Sequence, residues 1–180
     1  MDYHLDLPVD IEKIKQFQVG DILYVSGNVF TARDEAHHKM LNLKKEDIPF
    51  DPSSMALFHC GPLMKHTTKG WQVVSAGPTT SSRMEIFEDE FIKKFRVNII
   101  IGKGGMGKRT ATALQKYSAV YTSYTGGAGA LAAKKAVKVP AVYWLDELGM
   151  PEAVWVITMK EFGPLVVSMD SHGNSIYKKK

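Results

Sequence analysis

The chain has 180 residues, of which 44% are hydrophobic and a single one, Cys60, is cysteine. Its 23 basic and 19 acidic residues give a formal net charge of +4, which argues against a dedicated nucleic-acid binder. One thiol excludes an intramolecular disulfide. It also excludes a zinc or iron–sulfur centre held by the thiolates of this chain alone.

The length predicts one domain over residues 1–180, and the basic run 178–180 is interpreted as a solvated tail. Residues 1–6 have neither the basic nor the apolar region of a signal peptide, and no apolar stretch is long enough to span a membrane. We therefore expect a soluble, cytoplasmic protein without a membrane or nucleic-acid partner.

Short apolar runs alternate with helical patterns along most of the chain, which is typical of an α/β domain. The runs predict strands at residues 22–30 (interrupted at 26–27), 56–60, 71–76, 97–101 and 119–123. Between them, helices are expected at about residues 33–43, from 79–82 to 95, at 107–116 and at 129–136. In the second helix, an apolar stripe at helical spacing predicts a buried face formed by Met84, Phe87, Phe91 and Phe95.

The last part of the chain has a different pattern. Residues 154–159 and 165–169 are predicted as two strands joined by Phe162-Gly163-Pro164, and residues 171–174 as a turn that leads into 175–177. We interpret these segments as antiparallel strands added to the α/β core. The predicted fold is thus a mixed sheet flanked by helices, with antiparallel C-terminal strands.

Four successive strand-to-helix junctions carry groups that suit an anion. In open α/β sheets, ligands collect outside the carboxyl ends of the strands, where helix N-termini offer free N–H groups. Two guanidinium groups can each hold a carboxylate by two hydrogen bonds, and an ammonium adds a point charge. Surface ion pairs and ordinary turns would give the same pattern, so spacing alone leaves both interpretations open. The junction residues are Arg33, then Thr79, Thr80 and Arg83, then Lys103, and finally Gly126 and Gly127.

The segment 102–110 follows a predicted strand and opens a helix, as a phosphate-binding P-loop would. A P-loop needs Ser or Thr directly after its Gly-Lys, whereas Arg109 intervenes here and Thr110 is displaced by one position. A nucleotide- or anion-binding module that uses the loop from Gly102 to Lys108 is therefore the less favoured alternative. The glycines still allow a carboxylate to approach the backbone closely.

Across the same motifs the sequence resembles the beta subunit, or C-terminal domain, of class I iron–sulfur fumarate hydratases and the related L(+)-tartrate dehydratases. The matches occur in one order along nearly the whole chain, which is far more specific than any single motif. The resemblance implies a swivelling β/β/α domain. The matching segments are Gly20-Asp21, Thr31-Ala32-Arg33-Asp34-Glu35-Ala36-His37, Gly77-Pro78-Thr79-Thr80 with Arg83-Met84, Gly102-Lys103-Gly104-Gly105-Met106, Gly126-Gly127 and residues 147–155.

The resemblance implies reversible hydration of fumarate to (S)-malate, with L(+)-tartrate dehydration as the alternative. It assigns proton transfer next to a carboxylate to Thr79, and substrate binding to Arg33, Arg83 and Lys103. It also implies a 4Fe-4S cluster that binds the substrate as a Lewis acid and is ligated by an alpha subunit, in an alpha2beta2 assembly. This chain alone is therefore expected to be inactive.

Several candidate residues keep a second interpretation. Thr79 could be only a helix N-cap. The candidate supporting residues of the site are His37, Thr80, Gly104 and Gly126, although local hydrogen bonds could equally satisfy His37. No metal ligand is predicted in this chain: Cys60 is interpreted as a buried hydrophobe, and the histidines without metal-ligand spacing are interpreted as structural, namely His38, His59, His66 and His172.

In some members of the resembling family this region is the C-terminal domain of one longer chain, and the sequence departs from these single-chain enzymes at two places that bear on the substrate. The pair Ser81-Ser82 stands where those enzymes tend to have Ala-Gly, and the loop reads Lys103-Gly104-Gly105-Met106 rather than Lys-Gly-Asn-Arg. Both features resemble the branch with separate subunits. Fumarate-type and tartrate-type members share the remaining motifs, so the sequence leaves the choice between these two substrates open.

Overall fold

A computed structural model of the chain describes residues 1–177, so the predicted basic tail at 178–180 lies outside the described residues. The strands are β1 (Asp2–Asp6), β2 (Ile22–Thr31), β3 (Ala56–Phe58), β4 (Leu63–Thr67), β5 (Gly70–Ser75), β6 (Ile99–Gly102), β7 (Val120–Ser123), β8 (Ala136–Tyr143) and β9 (Val154–Met169). The helices are α1 (Ile11–Ile14), α2 (Asp34–Asn42), α3 (Glu85–Phe95), α4 (Lys108–Tyr117), α5 (Gly129–Lys135) and α6 (Leu145–Leu148). Short 3-10 turns occur at Lys45–Asp47, Pro52–Ser54 and Ser81–Met84.

Seven of the strands form one mixed sheet, in the order β1-β2-β3-β6-β7-β9-β8. The five strands from β1 to β7 in this order are mutually parallel, whereas β9 runs antiparallel to its neighbours. Because β9 pairs with β2 as well as with β7, the sheet closes on itself through β2, β3, β6, β7 and β9. Strands β4 and β5 form a separate antiparallel pair. The predicted mixed α/β architecture is confirmed.

The sheet is buried on both faces, which explains why its central strands β3 and β6 carry no polar side chain. Along β6, Ile99 and Ile101 belong to one core and Ile100 to the other. The first core also contains residues of α1, α5 and the β4–β5 pair. Helices α2, α3 and α4 cover the opposite face and form the second core. Among residues 1–177, no helix is both long and apolar enough to cross a membrane.

The predicted break between two C-terminal strands is wrong. Residues 154–169 form the single strand β9, which pairs along β2 with register shifts near Val25. A Cβ atom on Gly163 would lie 2.6 Å from the carbonyl oxygen of Leu23, so the residue that suggested a turn is a glycine because the two strands approach closely. The antiparallel strand is therefore part of the main sheet and is not an addition at its margin.

Three strands were not predicted from the sequence. Strand β8 carries Lys138 and Pro140 and, among residues 1–177, pairs with β9 alone, as expected of an edge strand. In β4 only Met64 is buried, and in β1 only Leu5 is buried, so neither strand shows a continuous apolar run. Partial burial thus removed the periodicity on which strand prediction depends.

Candidate functional site

The carboxyl ends of the parallel strands β2, β3, β6 and β7 meet at one edge of the sheet. Arg33, Lys103 and Gly126 follow β2, β6 and β7 closely, whereas Thr79 comes after the β4–β5 pair and returns to this edge. Thr79 is held against the end of β3. Its N–H donates to the carbonyl of His59 at 2.8 Å, and Cys60 and Pro78 form an antiparallel bridge beside it. The side chain of Thr79 is partly exposed, and its hydroxyl has no hydrogen-bond partner within residues 1–177. Thr79 thus presents a positioned hydroxyl that no side chain of residues 1–177 holds by a hydrogen bond.

Lys103, at the end of β6, lies next to the loop 76–80 that carries Thr79 (the Thr79 loop). Thr80 and Lys103 form a parallel bridge, and the N–H of Ser81 donates to the carbonyl of Lys103 at 3.0 Å. The lysine stem passes over Gly126, where a Cβ atom would lie 3.0 Å from Cδ of Lys103. In the described part of the chain, no carboxylate forms an ion pair with the ammonium group of Lys103. The structure therefore brings a positioned hydroxyl and an unpaired cation together.

The two arginines lie at the starts of helices, and each forms an ion pair with a carboxylate of this chain. Nε of Arg33 lies 3.2 Å from Oε1 of Glu152, and an Nη atom of Arg83 lies 2.6 Å from Oδ2 of Asp34. Glu152 also accepts the N–H of Glu35 at 3.2 Å, so a carboxylate of the protein already occupies the N-terminus of α2. A bound dianion would therefore meet guanidinium groups held in place by these ion pairs, and not a free helix N-terminus.

The candidate supporting residues fall into two groups. Gly126 leaves the space that the lysine stem uses. Gly104 has a φ of +75°, and its carbonyl accepts the hydroxyl of Tyr121 at 2.7 Å, which shapes the loop after Lys103. Thr80 is exposed, and His37 is fully buried. Thr80 and Gly104 thus belong to the rim, whereas His37 lies beneath the site.

Three fully buried polar side chains, His37, His59 and Glu88, form a cluster under the site that we call the buried triad. Nε2 of His59 lies 2.8 Å and Nε2 of His37 lies 3.2 Å from the same carboxylate oxygen of Glu88. Nδ1 of His37 donates to the carbonyl of Arg33 at 2.7 Å. Sequence reasoning treated His59 as structural and did not consider Glu88. The signal it missed was an acidic residue on the buried face of α3.

The hydrogen bonds of the buried triad assign its protons. Burial lowers the pKa of His59 despite the opposing effect of Glu88, so its ring is neutral at pH 7. Burial alone would raise the pKa of Glu88, but the two imidazole rings of His59 and His37 beside its carboxylate outweigh that effect and bring the pKa down to about 2. Glu88 is thus ionised and accepts from Nε2 of His59, whose Nδ1 is left as an acceptor.

The residue types of the buried triad could also ligate a metal ion. Within residues 1–177 they form the one group of three such side chains whose ligand atoms lie within 4.8 Å of one another. Hydrogen bonds already account for both ring nitrogens of His59. The expectation that this chain holds no metal stays a prediction.

The single thiol does not fit an iron–sulfur cluster. Cys60 is fully buried, and burial raises the pKa of its thiol far above the usual range, although Arg33 opposes the shift. A thiolate is the form that binds iron, so a buried thiol whose pKa is raised is poorly suited to be a cluster ligand. The residue is a small buried hydrophobe, as predicted.

The glycine loop that resembles a P-loop is already occupied by a side chain. The carboxylate of Glu85 accepts the N–H of Gly107 at 2.7 Å, and it accepts both the N–H and the hydroxyl of Thr110. A Cβ atom on Gly107 would lie 2.6 Å from this carboxylate. The position that a phosphate would take at the N-terminus of α4 is therefore filled, which argues against a nucleotide-binding module.

Fold and site together define an α/β domain that presents a threonine hydroxyl, two arginines and a lysine at the carboxyl edge of a mixed sheet. The family model described as Fumarase C-terminus matches residues 2–180, and the chain belongs to this family. The resemblance on which the sequence analysis relied is thereby confirmed.

Relatives of two kinds support this membership. The chain is 44% identical over 172 residues to the L(+)-tartrate dehydratase subunit beta of Escherichia coli, covering 96% of this chain and 85% of that protein. It is 49% identical over 168 residues to a Methanocaldococcus jannaschii protein provisionally named L(+)-tartrate dehydratase subunit beta, covering 92% of this chain and 86% of that protein. A Geobacillus stearothermophilus protein provisionally named fumarate hydratase class I is 39% identical over 175 residues, covering 97% of this chain but 33% of that protein. The same region thus occurs as a separate subunit and as part of a longer chain.

Proposed function

We propose that the chain is the beta subunit of a hydro-lyase that adds water to, or removes it from, a small dicarboxylate. Reversible hydration of fumarate to (S)-malate is the leading reaction. L(+)-Tartrate dehydration is the second candidate, favoured by the higher identity to the relatives named as tartrate dehydratase subunits. The observation that carries the proposal is the Thr79 hydroxyl, without a hydrogen-bond partner in residues 1–177 and held beside a lysine without an ion pair.

In the proposed mechanism, Thr79 transfers the proton at the carbon next to a substrate carboxylate. A threonine hydroxyl is a poor base, so it needs a partner group or nearby positive charge. Lys103 supplies charge from this chain and stabilises the negative charge that develops on the carboxylate. The hydroxyl of Thr79 has no hydrogen-bond partner among residues 1–177, and we therefore assign the group that accepts its proton to the partner subunit.

Arg33 and Arg83 bind the carboxylates of the substrate. Their ion pairs with Glu152 and Asp34 restrict the side-chain rotamers before the substrate arrives. Each guanidinium has five N–H donors, so a substrate carboxylate can be held while the ion pair persists. The dianion is thus bound between preoriented cations, which contributes to catalysis by fixing its geometry.

The partner is an alpha subunit that supplies a 4Fe-4S cluster, and with it the Lewis-acid chemistry, in an alpha2beta2 assembly. Two observations support the division: the relatives are named as beta subunits, and the single thiol of this chain is buried and protonated. We further propose that residues 1–180 form a single domain of the swivelling β/β/α type. The β4–β5 pair on one face of the sheet and the three helices on the other support this three-layer arrangement.

The test is to express the chain with the cysteine-bearing partner from the same genome, assemble the cluster without oxygen, and measure turnover of fumarate and of L(+)-tartrate. We expect activity on one substrate that needs both chains and that Thr79→Ala reduces by at least about 100-fold. The matched control is Ser82→Ala, which removes another exposed hydroxyl just after the Thr79 loop at a position where the single-chain enzymes tend to have glycine. Activity of this chain alone, or full activity of Thr79→Ala, would contradict the proposal.

A further inference from the structure

We propose that His59 is a positioning residue, which fixes the Thr79 loop relative to Lys103 through Ser81 without contacting the substrate. The inference rests on the proposed function, because it concerns the same site. The backbone carbonyl of His59 accepts the N–H of Thr79 at 2.8 Å, and its own N–H donates to the carbonyl of Ile101 at 2.8 Å. The residue therefore joins the Thr79 loop to the end of β6.

The ring of His59 acts on Ser81. Nδ1 lies 2.8 Å from Oγ of Ser81, and the same Oγ accepts the N–H of Lys103 at 3.1 Å. With its proton on Nε2, the ring leaves Nδ1 as an acceptor, so the Ser81 hydroxyl donates to it and directs a lone pair at Lys103. This orientation places the backbone of Lys103, and with it the cation, at a fixed distance from Thr79.

The hydroxyl of Ser81 lies close to the backbone of Gly102. A Cβ atom on Gly102 would lie 1.9 Å from Oγ of Ser81, so the hydroxyl fits only because residue 102 is glycine. Ser81 itself is fully buried. This buried hydroxyl contacts His59 Nδ1 and the N–H of Lys103, and Tyr121 also interacts with it. Removing the acceptor at His59 weakens the arrangement that orients the hydroxyl toward Lys103.

Glu88 and His37 hold the ring of His59 in this state. Glu88 accepts from Nε2 of His59, which fixes the tautomer from α3, the helix that follows Arg83. His37 contacts Glu88 from α2 and donates to the carbonyl of Arg33, where that helix begins. The buried triad, together with Ser81, thus connects the backbone segments that carry all four proposed site residues.

Two substitutions separate the roles of the two ring nitrogens. In His59→Gln, the amide can reach the place of Nε2 and donate to Glu88, but the acceptor that Nδ1 offered to Ser81 is lost. In His59→Asn, the shorter amide places its oxygen near Nδ1 and can accept from Ser81, but it does not reach Glu88. We expect His59→Gln to lower kcat of the assembled enzyme about 100-fold with little change in KM, because misplacement by about 1 Å has this effect.

His59→Asn should restore most of kcat, although it should unfold at a lower temperature than His59→Gln because the Glu88 carboxylate loses a donor. Ser81→Ala should lower kcat as much as His59→Gln does. The double variant should be no slower than either single one, because both act through one hydrogen bond. Equal loss of kcat in His59→Asn and His59→Gln, in proportion to their loss of stability, would overturn the inference in favour of a purely structural role.

A second measurement does not depend on turnover. Hydrogen–deuterium exchange of the amide of Lys103, in the assembled complex, reports the contact with Ser81 directly. We expect faster exchange in His59→Gln and near wild-type exchange in His59→Asn. Inactivity of the wild-type complex on both acids would count against the proposed function alone, whereas unchanged exchange in His59→Gln would refute the positioning role whatever the substrate is.

Discussion

The carboxylate of Glu85 lies 2.7 Å from the backbone nitrogen of Gly107 and so occupies the N-terminus of α4. An anionic side chain at this position stabilises the helix through the free N–H groups and the helix dipole. The glycine of the loop is needed because any side chain there would meet Glu85. A motif that resembles a phosphate-binding loop is thus a helix cap built from two distant segments.

From this contact we expect Glu85→Ala to destabilise the protein by about 1–2 kcal/mol, because it removes a cap and leaves the buried hydroxyl of Thr110 without its partner. Chemical denaturation measures the change. Glu90→Ala is the matched control, since it removes a carboxylate from the same helix that pairs only with exposed Lys93. Calorimetry with magnesium and a nucleotide should show no binding to the wild-type protein, and saturable binding there would contradict our interpretation of the loop.

Gly126 offers a test of how precisely Lys103 must be placed. The substitution Gly126→Ala puts a methyl group 3.0 Å from the lysine stem and should push it aside. Gly126 has no positive φ, so the backbone tolerates alanine and the fold is retained. We expect KM for the dicarboxylate to rise about tenfold, which is less than the effect of a full 1 Å misplacement. Thermal unfolding serves as the control, and an unchanged KM would show that Lys103 does not contact the substrate.

The buried triad predicts an acid-sensitive fold. His59 and Glu88 both have folded-state pKa values below their usual 6.5 and 4.5, so the unfolded chain binds more protons than the native protein. Their contribution to stability is therefore fully present above about pH 6.5 and is lost as the pH falls, first through His59 and then through Glu88. The free energy of unfolding, measured between pH 7 and pH 3, should decrease steadily.

The variant Glu88→Gln is the companion experiment. It should be less stable than the wild type at pH 7 because a buried charge partner is lost, and its stability should depend less on pH below 4.5. The carboxylate of Asp170 accepts hydrogen bonds from Val19, His172 and Asn174, and its pKa is also lowered. Asp170 therefore adds to the loss of stability as the pH falls. A pH dependence identical to that of the wild type would show that Glu88 does not titrate as described.

Cys60 gives the sharpest check on the origin of the proposed cluster. Cys60→Ala should leave the iron and sulfide content of the assembled complex unchanged, because the buried, protonated thiol is not a ligand. In the native chain the thiol should react with a thiol reagent only after unfolding. Loss of iron in Cys60→Ala, at unchanged thermal stability, would place a ligand in this chain and contradict the proposed division between subunits.

The sequence alone allowed the parallel part of the sheet and the edge that carries the site to be predicted, because the strands buried on both faces are continuous apolar runs. The runs around Ile100 and Val120 mark β6 and β7, and the polar residues after them mark the junctions. Pairing was not predictable. The bend near Gly163 has the composition of a turn, and only the contact with β2 shows that one strand passes through it.

The buried triad was missed for a different reason. His59 lies 22 residues before Ser81 and 29 residues before Glu88, so no local motif connects them. The predicted stripe on α3 named Phe87 as a buried residue, but Phe87 is only half-buried and Glu88 lies on the buried face. Helical spacing places positions 84, 88, 91 and 95 on one side of α3 as well as it places 84, 87, 91 and 95. An acidic residue among the apolar residues of that side was the signal that could have revealed a buried polar cluster.

The closure of the sheet by β9 has a consequence for how the protein is made. Asn28 and Thr158, which pair across β2 and β9, are 130 residues apart in the chain. Contacts of such long sequence separation form late and make folding slow. During synthesis, β2 and β7 each present an unpaired edge until β9 emerges from the ribosome, and open edges of this kind lead to aggregation. Overproduction at low temperature should therefore yield more native protein than rapid synthesis.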